Sequence, residues 1–509
     1  MRFLVVLALS ILQVYCIAQQ VNDRTFFRYK EQKELYSAEN RRHTAFKKTY
    51  ADSIVGVELF EKSNAERRFA IRPLLDLSLT FEASKIRTGA GVGGELRYQY
   101  KKWNSGFRYL FNRQQFVDYQ NSYVQENGIV LGMDVSQGLS QNFVQNNHVA
   151  GYLNFEANKY FTVEAGFGRN FIGDGYRSLL RSDASGSSPY LKIQTKFWNI
   201  EYTNLFSSHR NIFQVEGRSE LYQKKYTASH YLDWRATKWF SIGVFETIIW
   251  GSEEGNYTRG FDVNYANPFI FYRPVEFSVG SSDNVLVGAN VKLTVAKNNL
   301  LYSQLLFDEF LLDELRADFS QLRNPNDSIR SGWWANKYGV QFGWTSFDLF
   351  KIKGLQARAE LNLVRPYTYA HSSVTQAYSH DNISLAHPLG ANFYEYLIRI
   401  NYEIKRWNFA LNYHQNSQGR SSFGENYGEN LQLSNVSRQR EYENELAQGE
   451  RFDVNYVEAT TSYLLSKKMN TTLSASFVAR GESSQYQTNN SNFIMVRIHS
   501  NLFNKYFDY

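Results

Sequence analysis

The sequence has 509 residues, a formal net charge of +7 and an aromatic content of 16%, with 38 Phe, 36 Tyr and 9 Trp. This aromatic content is too high for a disordered chain, and a single Cys excludes a disulfide scaffold or a cysteine-based zinc site. No run of 18 apolar residues follows the first twenty positions, which excludes helical membrane spans. A large all-β protein remains.

The N-terminus has the pattern of an export signal. A basic residue precedes an apolar stretch over residues 3–17, which is too short to span a bilayer. Cys16 and Ala18 are small residues at the −3 and −1 positions of a cleavage site. Residues 1–18 are therefore predicted to be a signal peptide. Bulky Tyr15 argues against lipid attachment at Cys16, so cleavage leaves a mature chain without cysteine.

Residues 19–70 form a second predicted unit, rich in Lys, Arg and Glu, with weak helical spacing through Phe27–Lys48. The barrel predicted below for the rest of the chain begins and ends on the side of its short turns. This unit is therefore expected in the periplasm or inside that barrel. A small helical plug, a periplasmic partner surface and a solvated tether all remain open.

From about residue 70, apolar and polar residues alternate in blocks of about ten. One block has Leu75, Leu77, Leu79 and Phe81 on its apolar face, and another has Tyr394, Tyr396, Ile398 and Ile400. A period of two with one apolar face predicts β-strands. Because a soluble sandwich has the same period, this pattern alone does not decide the architecture.

The connections between the strands decide it, because short turns alternate with long polar loops. The short turns lie near Lys101–Asn104, Asn158–Lys159, Trp198–Asn199, Thr237–Trp239, Lys297–Asn299, Ser346–Gly354, Lys405–Trp407 and Lys467–Asn470. The long loops include Val117–Asn147, Arg169–Pro189, Gly251–Asn284, Glu309–Trp334, Arg365–Gly390 and Asn416–Arg451. The sequence thus predicts a transmembrane antiparallel up-and-down β-barrel of about 18 strands over residues 71–509.

The final segment supports an outer-membrane location. It ends in aromatic residues that we expect at the membrane interface: Phe503, Tyr506, Phe507 and Tyr509. A final strand with an aromatic last residue resembles the signal by which outer-membrane barrels are recognised for insertion. The expected partner is therefore outer-membrane lipid, and we expect a monomer.

No motif for an enzyme or a resident cofactor occurs: GxSxG, a P-loop and HExxH are all absent. We therefore predict a protein that is not an enzyme and has no cofactor. His371, His380 and His387 share one loop, but their spacings of nine and seven fit no compact ligand pattern, so no metal site is predicted. The basic residues concentrate in short turns rather than in one aromatic-lined groove, which argues against nucleic acid.

Two sets of charged residues have competing interpretations. The acidic cluster Asp308, Glu309, Asp313 and Glu314 could bind calcium, but we favour a helix whose acids face water. The second set faces the lumen, opposite the apolar stripes, where we favour structural pairing over a conduit or a saccharide surface: Glu95, Arg97, Arg358, Glu360, Glu395, Arg399, Glu403 and Arg497.

Five strings exceed generic barrel patterns: GDGYRSLLRSD (Gly173–Asp183), NPFIFYRPVEFS (Asn267–Ser278), LNLVRPYTYAH (Leu361–His371), LAHPLGANFYEY (Leu385–Tyr396) and FGENYGENL (Phe423–Leu431). They resemble an exported Bacteroidetes family named after the gliding-motility protein RemB, which is itself similar to Wzi-type capsule-assembly barrels. The resemblance implies an eighteen-stranded outer-membrane barrel. It also implies surface-polysaccharide attachment, or a part in gliding with gliding or secretion machinery as partner.

These strings supply the candidate ligand-binding residues. Gly173 and Gly175 permit tight turns that would present the following residues to the mouth. Four arginines could bind an acidic sugar through bidentate contacts and four tyrosines could stack on sugar faces: Arg177, Arg181, Arg273, Arg365, Tyr176, Tyr272, Tyr367 and Tyr369. Alternatively, the arginines pair with loop acids such as Asp174 or Asp183 and hold external loops over the barrel.

Three functional hypotheses follow. The first is a non-enzymatic barrel that organises or attaches surface polysaccharide or serves gliding motility. The second is a passive diffusion channel for small solutes, which eighteen strands would permit. The third is a surface hydrolase with an unrecognised site.

Overall fold

The computed structural model describes residues 29, 32–33, 36, 43–48, 60–63, 66–136, 139–140, 143–212, 222–254, 257–268, 283–309, 311–324, 330–467, 469–500 and 505–509. The predicted signal peptide, most of residues 19–70, and Phe503, Tyr272 and Arg273 lie outside the described residues. No helix in the described part of the chain is both long and apolar enough to cross a membrane.

Eighteen antiparallel strands close into one barrel, which confirms the predicted fold class. The first nine are β1 (Arg67–Glu82), β2 (Lys85–Tyr100), β3 (Trp103–Gln114), β4 (Phe143–Glu156), β5 (Phe161–Gly168), β6 (Ser188–Phe197), β7 (Ile200–Asn211), β8 (Gln223–Trp234) and β9 (Phe240–Gly251). The other nine are β10 (Asn284–Val295), β11 (Asn299–Glu309), β12 (Lys337–Phe347), β13 (Leu355–Val364), β14 (Phe393–Ile404), β15 (Trp407–Arg420), β16 (Glu450–Ser466), β17 (Thr471–Ser483) and β18 (Thr488–Ser500). Strand β18 pairs with β1, Ile494 opposite Phe81, and so closes the barrel.

The two faces of the strands have opposite chemistry. Outward positions carry exposed apolar side chains such as Leu79, Val92 and Ile398, while inward positions carry buried polar ones such as Asp76 and Glu95. On the inner face, Glu95 lies opposite Arg72 on one side and Arg108 on the other, and it forms an ion pair with Arg108. An apolar exterior and a fully paired backbone are what a bilayer requires of a β-protein.

The connections follow the predicted rhythm. All eight predicted short turns lie at one end of the barrel, and exposed tryptophans gather there, as in an aromatic girdle: Trp103, Trp198, Trp239 and Trp407. The long loops lie at the other end, together with the short turns 83–84 and 484–487. The barrel begins at Arg67, slightly before the predicted boundary at residue 71.

The described parts of the long loops contain two α-helices: α1 (Asp118–Asn127) after β3, and α2 (Leu312–Arg323) after β11. Helix α2 contains the acids Asp313 and Glu314, as the helical interpretation predicted. Asp308 differs from that expectation: it ends β11 on the inner face, is buried, and lies 3.4 Å from the Lys337 ammonium. Because Asp308 belongs to a strand and not to a helix, its side chain follows the alternation of the strand and faces the lumen.

The lumen is filled by polypeptide. Every residue of the connection between β5 and β6, residues 169–187, is buried, and we call this segment the lumen loop. Its residues Asn170–Ile172 pair with Phe46–Lys48 from the N-terminal region, so this described part of residues 19–70 also lies inside the barrel. Gly173 has a φ of 152° and approaches strand β11 so closely that a Cβ there would lie 2.5 Å from the Gln304 amide nitrogen.

The last described residues, Lys505–Tyr509, also lie within the barrel, and we call them the tail segment. Lys505 forms an ion pair with Asp76, Tyr506 donates a hydrogen bond to Asp183, and the Phe507 carbonyl accepts one from Tyr119. Tyr509 packs against Tyr123 of α1. The expectation that Tyr506, Phe507 and Tyr509 lie at the membrane interface is therefore wrong. A run of aromatic residues is compatible with the membrane interface and with the lumen. In this protein, polar groups of the lumen form hydrogen bonds with the hydroxyl and backbone groups of the tail segment.

Candidate functional site

The predicted arginine Arg177 lies at the centre of a buried ionic cluster in the lumen. Its Nη2 atom is 3.0 Å from Glu395 on β14 and 3.3 Å from Asp508 in the tail segment, and all three side chains are at most 2% exposed. The predicted partners Asp174 and Asp183 are not the ones it uses. Burial alone would lower the pKa of Arg177, but the carboxylates of Asp508 and Glu395 raise it above its ordinary value.

The lumen loop depends on inward-facing side chains of distant strands for its hydrogen bonds. Glu360 on β13 accepts from the backbone N–H groups of Tyr176 and Arg177, and Gln304 on β11 accepts from that of Leu179 at 2.8 Å. Tyr176 and Arg177 are thus directed at the inner wall and not at the mouth. Buried backbone groups require such partners, which explains why these strands carry amides and carboxylates inward.

The other candidate residues that the structure describes are also buried. The Arg365 guanidinium is 3.7 Å from Asp318 and donates to the Trp333 carbonyl, whereas Arg181 contacts Ser207 at 3.5 Å. Tyr367 and Tyr369 donate their hydroxyls to the carbonyls of Asn426 and Leu179. These contacts hold loops together. The proposed contact of these residues with a saccharide stays a prediction.

The three loop histidines do not converge. His387 lies 2.9 Å from Glu395, His380 contacts the Ser187 carbonyl at 3.1 Å, and His371 contacts the neighbouring Ser372. Burial lowers the pKa of each of them. Among the described residues, no group of three or more His, Cys, Asp and Glu side chains is arranged to hold a metal ion.

A cavity of about 870 Å³ lies at the long-loop end of the barrel, and we call it the mouth cavity. Helix α1 forms one wall, the ends of β15, β17 and β18 form another, and residues 382–384, 388–390 and 429–432 and Tyr509 complete it. None of the six described candidate residues lines this cavity. No distinctive string in the sequence marks this cavity, although two tyrosines of α1, Tyr119 and Tyr123, are four residues apart and therefore share a helix face.

Amide side chains with unused hydrogen-bonding groups line the mouth cavity. Among the residues that the structure describes, none is a hydrogen-bond partner for buried Asn416 Nδ2, Asn382 Oδ1 or either amide atom of Gln432. Buried amide groups normally have partners, because leaving one unpaired costs roughly 1–3 kcal/mol. Hydroxyl groups, which both donate and accept, are the partners that such amide groups could take.

Aromatic rings cover another part of the cavity wall. The rings of Tyr123 and Tyr509 lie 4.2 Å apart, and Tyr119 lies 6.0 Å from Tyr509. Arg480 stacks over the Tyr119 ring at 4.5 Å and donates to Glu482 at 2.6 Å. The wall therefore combines flat apolar faces with hydrogen-bonding groups, as small-molecule sites usually do.

The charge of the mouth cavity is predominantly negative. Two guanidinium groups, Arg420 and Arg480, line it, and both contact Glu482. Five carboxylates line it as well: Glu82, Asp118, Glu126, Glu429 and Glu482. Arg87 and Lys85 partly offset this charge because they pair with Asp118, and the contacts with these two cations lower the pKa of Asp118 although burial opposes them. The cavity is not suited to a strongly anionic ligand.

A search of protein-family models found no match for this sequence, and a search of curated proteins also found none. Among solved structures, the chain is similar to Escherichia coli Wzi, described as an outer-membrane protein involved in group 1 capsule assembly and a carbohydrate-binding β-barrel. The TM-score is 0.53 at 10% identity, with 95% of this chain and 99% of that chain covered. The protein is an outer-membrane β-barrel.

Two porins are similar at lower scores. Pseudomonas aeruginosa OprD has a TM-score of 0.43 at 8% identity, with 88% of this chain and 98% of that chain covered. Acinetobacter baumannii OccAB2 has a TM-score of 0.44 at 9% identity, with 85% of this chain and 97% of that chain covered. At such identities the similarity concerns the fold alone.

Proposed function

We propose that this outer-membrane barrel binds a surface polysaccharide in the mouth cavity without altering it chemically, and so helps to organise or attach that polysaccharide. The observation that carries the proposal is the set of unpaired amide groups of Asn382, Asn416 and Gln432 beside the tyrosine faces of α1. A sugar ring offers hydroxyl groups to the amides and a flat C–H face to the tyrosines.

The ligand we propose is uncharged or weakly charged. An acidic polysaccharide would meet the carboxylates of the mouth cavity, and both arginines there already contact Glu482. This revises the expectation of an acidic sugar held by Arg177 and Arg365. Both of these guanidinium groups contact carboxylates and hold loops in place.

The filled lumen favours binding over passive diffusion. The lumen loop and the tail segment occupy the space through which a solute would pass. The similarity to Wzi, a carbohydrate-binding barrel, supports the same choice at the level of the fold. A part in gliding motility rests on the sequence resemblance alone, and the mouth cavity offers no feature that favours it.

The test is binding of surface polysaccharide, purified from the cells that make this protein, to the refolded barrel in detergent. We expect Gln432→Met and Tyr123→Ala each to weaken binding about tenfold, since ~1.4 kcal/mol corresponds to that factor. Gln432→Met keeps the approximate length of the side chain and removes both amide atoms.

Tyr486→Ala is the matched control, because Tyr486 is an exposed tyrosine in the turn after β17 that does not line the mouth cavity. It should bind normally. Heat-modifiable migration on gels verifies that each variant is folded. Absence of binding by the natural protein, or unchanged binding by folded Gln432→Met and Tyr123→Ala, would refute the proposal.

A further inference from the structure

Three nitrogen-bearing side chains meet on the inner wall at a distance from the mouth cavity. His209 on β7 lies directly opposite Lys225 on β8 in the strand register. Arg181 of the lumen loop contacts Ser207, which lies two residues before His209 and therefore on the same face of β7. The three side chains are thus neighbours, and we call them the cation cluster.

The two basic side chains of this cluster are buried, and no carboxylate of the described residues forms an ion pair with either of them. Arg181 is 2% exposed and Lys225 is 0% exposed. The Lys225 ammonium donates to the Ala377 carbonyl at 2.9 Å and to Ser379 at 2.8 Å, both of which are neutral. Within the described residues, Arg181 Nη1 has no hydrogen-bond partner.

The one carboxylate that acts on this region is already engaged. Asp381 accepts from Arg210 Nε at 2.6 Å, so its charge is balanced by a third cation. The cation cluster and its surroundings therefore carry an excess of positive charge. Removing an ion from water without compensating its charge is among the most expensive changes in protein folding.

Other buried cations of the lumen lack this imbalance. Lys192 is also 0% exposed, but its ammonium is 2.8 Å from the Glu164 carboxylate. Arg177 has Glu395 and Asp508, and Lys337 has Asp308. The cation cluster therefore differs from these three buried cations, each of which has a carboxylate partner.

His209 adds a further unused group. Its Nε2 atom is 3.1 Å from the Thr227 hydroxyl, while Nδ1 is buried and has no hydrogen-bond partner in the described part of the chain. Arg181 Nη1 and His209 Nδ1 are thus two unpartnered nitrogens in the same cluster. Water would satisfy their hydrogen bonds but would leave the positive charge uncompensated.

We propose that Arg181, His209 and Lys225 hold a buried inorganic anion of the chloride or sulfate class. The Arg181 guanidinium and the Lys225 ammonium supply the charge, and Arg181 Nη1 supplies a free hydrogen-bond donor. The anion compensates the excess charge between β7, β8 and the lumen loop, and so fixes that loop to the wall. This site does not depend on the saccharide proposal.

The first test locates the anion in crystals of the full-length protein grown or soaked in bromide. We expect an anomalous peak in contact with Arg181 Nη1. The second test measures the unfolding temperature in chloride, sulfate and gluconate at equal ionic strength. Because the anion binds only the folded state, we expect a rise of about 1–2 °C per tenfold increase of the preferred anion above its dissociation constant.

Lys225→Met should abolish this anion dependence, whereas Lys192→Met, an equally buried lysine with a carboxylate partner, should retain it. Specific stabilisation by chloride or by sulfate supports the site and identifies the anion. Equal unfolding temperatures in all three salts, with no bromide peak, overturn the proposal. If Lys225→Met does not fold, the bromide peak in the natural protein decides.

Discussion

Replacing Arg177 by Met tests whether the ionic cluster of the lumen holds the barrel contents in place. The substitution removes a guanidinium that lies 3.0 Å from Glu395 and 3.3 Å from Asp508. Methionine has a similar length and no charge, so the main consequence is that two buried carboxylates lose a common cation.

The expected loss is about 3 kcal/mol of unfolding free energy, at the lower end of the range for breaking a buried ion pair. The lower end applies because each carboxylate keeps other partners. Glu395 retains His387 at 2.9 Å and Asn362 at 2.9 Å. Asp508 retains His414 at 3.2 Å and the Tyr176 hydroxyl at 3.1 Å.

Urea unfolding of the refolded barrel, followed by tryptophan fluorescence, measures this loss. Arg420→Met is the control: that guanidinium is partly exposed, and its pair with Glu482 at 3.6 Å should contribute less than about 1 kcal/mol. The double variant R177M/E395Q should be less destabilised than R177M alone, because it removes one of the unpaired charges. Equal stability of R177M and Arg420→Met would refute the reasoning.

Two further predictions concern pH and topology. Burial lowers the pKa of His380 and His387, so below their ordinary pKa of about 6.5 the folded protein binds fewer protons at these residues than the unfolded chain does. The stability that these two residues contribute is therefore present above that pH and is lost as the pH falls. The urea midpoint should be lower at pH 5 than at pH 7.5, and this difference should be smaller in His380→Asn. A pH-independent midpoint would contradict the prediction. For topology, a membrane-impermeant maleimide on intact cells should label a cysteine replacing exposed Phe423 in the loop after β15, and should not label one replacing Lys405 in the turn before it. The opposite labelling would reverse the orientation of the barrel.

The sequence was sufficient for the wall of the barrel because each strand records its environment locally. In β14, Tyr394, Tyr396 and Ile398 alternate with inward Glu395 and Arg399, and the structure has that register. Lipid on one side and a polar lumen on the other impose this period of two on every strand. The turns at one end are short because antiparallel neighbours need only a few residues to connect.

The contents of the lumen were not predictable in the same way. The lumen loop is rich in Gly, Ser, Arg and Asp, a composition typical of an external loop. It is buried because Gln304, Gln341 and Glu360, from strands far along the chain, accept or donate the hydrogen bonds it needs. Such a match between a loop and three distant strands leaves no periodic signal in either segment.

The mouth cavity was missed for a related reason. Its walls come from α1, the loop after β13 and the ends of β15, β17 and β18, so no single string contains the site. Arginine and tyrosine in distinctive strings drew attention instead, and the structure engages those residues in contacts between loops. The enrichment of Asn and Gln around residues 416–432 and 487–490 was the available signal.

The tail segment provides the last prediction, which concerns conduction. It lies between Asp76 of β1 and Arg480 of β17, whereas the lumen loop contacts β11 to β14. Strand β18 ends at Ser500, so a chain shortened after residue 504 keeps every barrel strand. Refolded in planar bilayers, the natural protein should pass little steady current, and the shortened protein should conduct, because one side of the lumen has lost its filling. Lys505→Met, which removes one ion pair and keeps the segment, should conduct as little as the natural protein. Equal currents from the shortened and natural proteins would mean that the tail segment does not close the lumen, and a large current from the natural protein would favour the diffusion channel over the binding role.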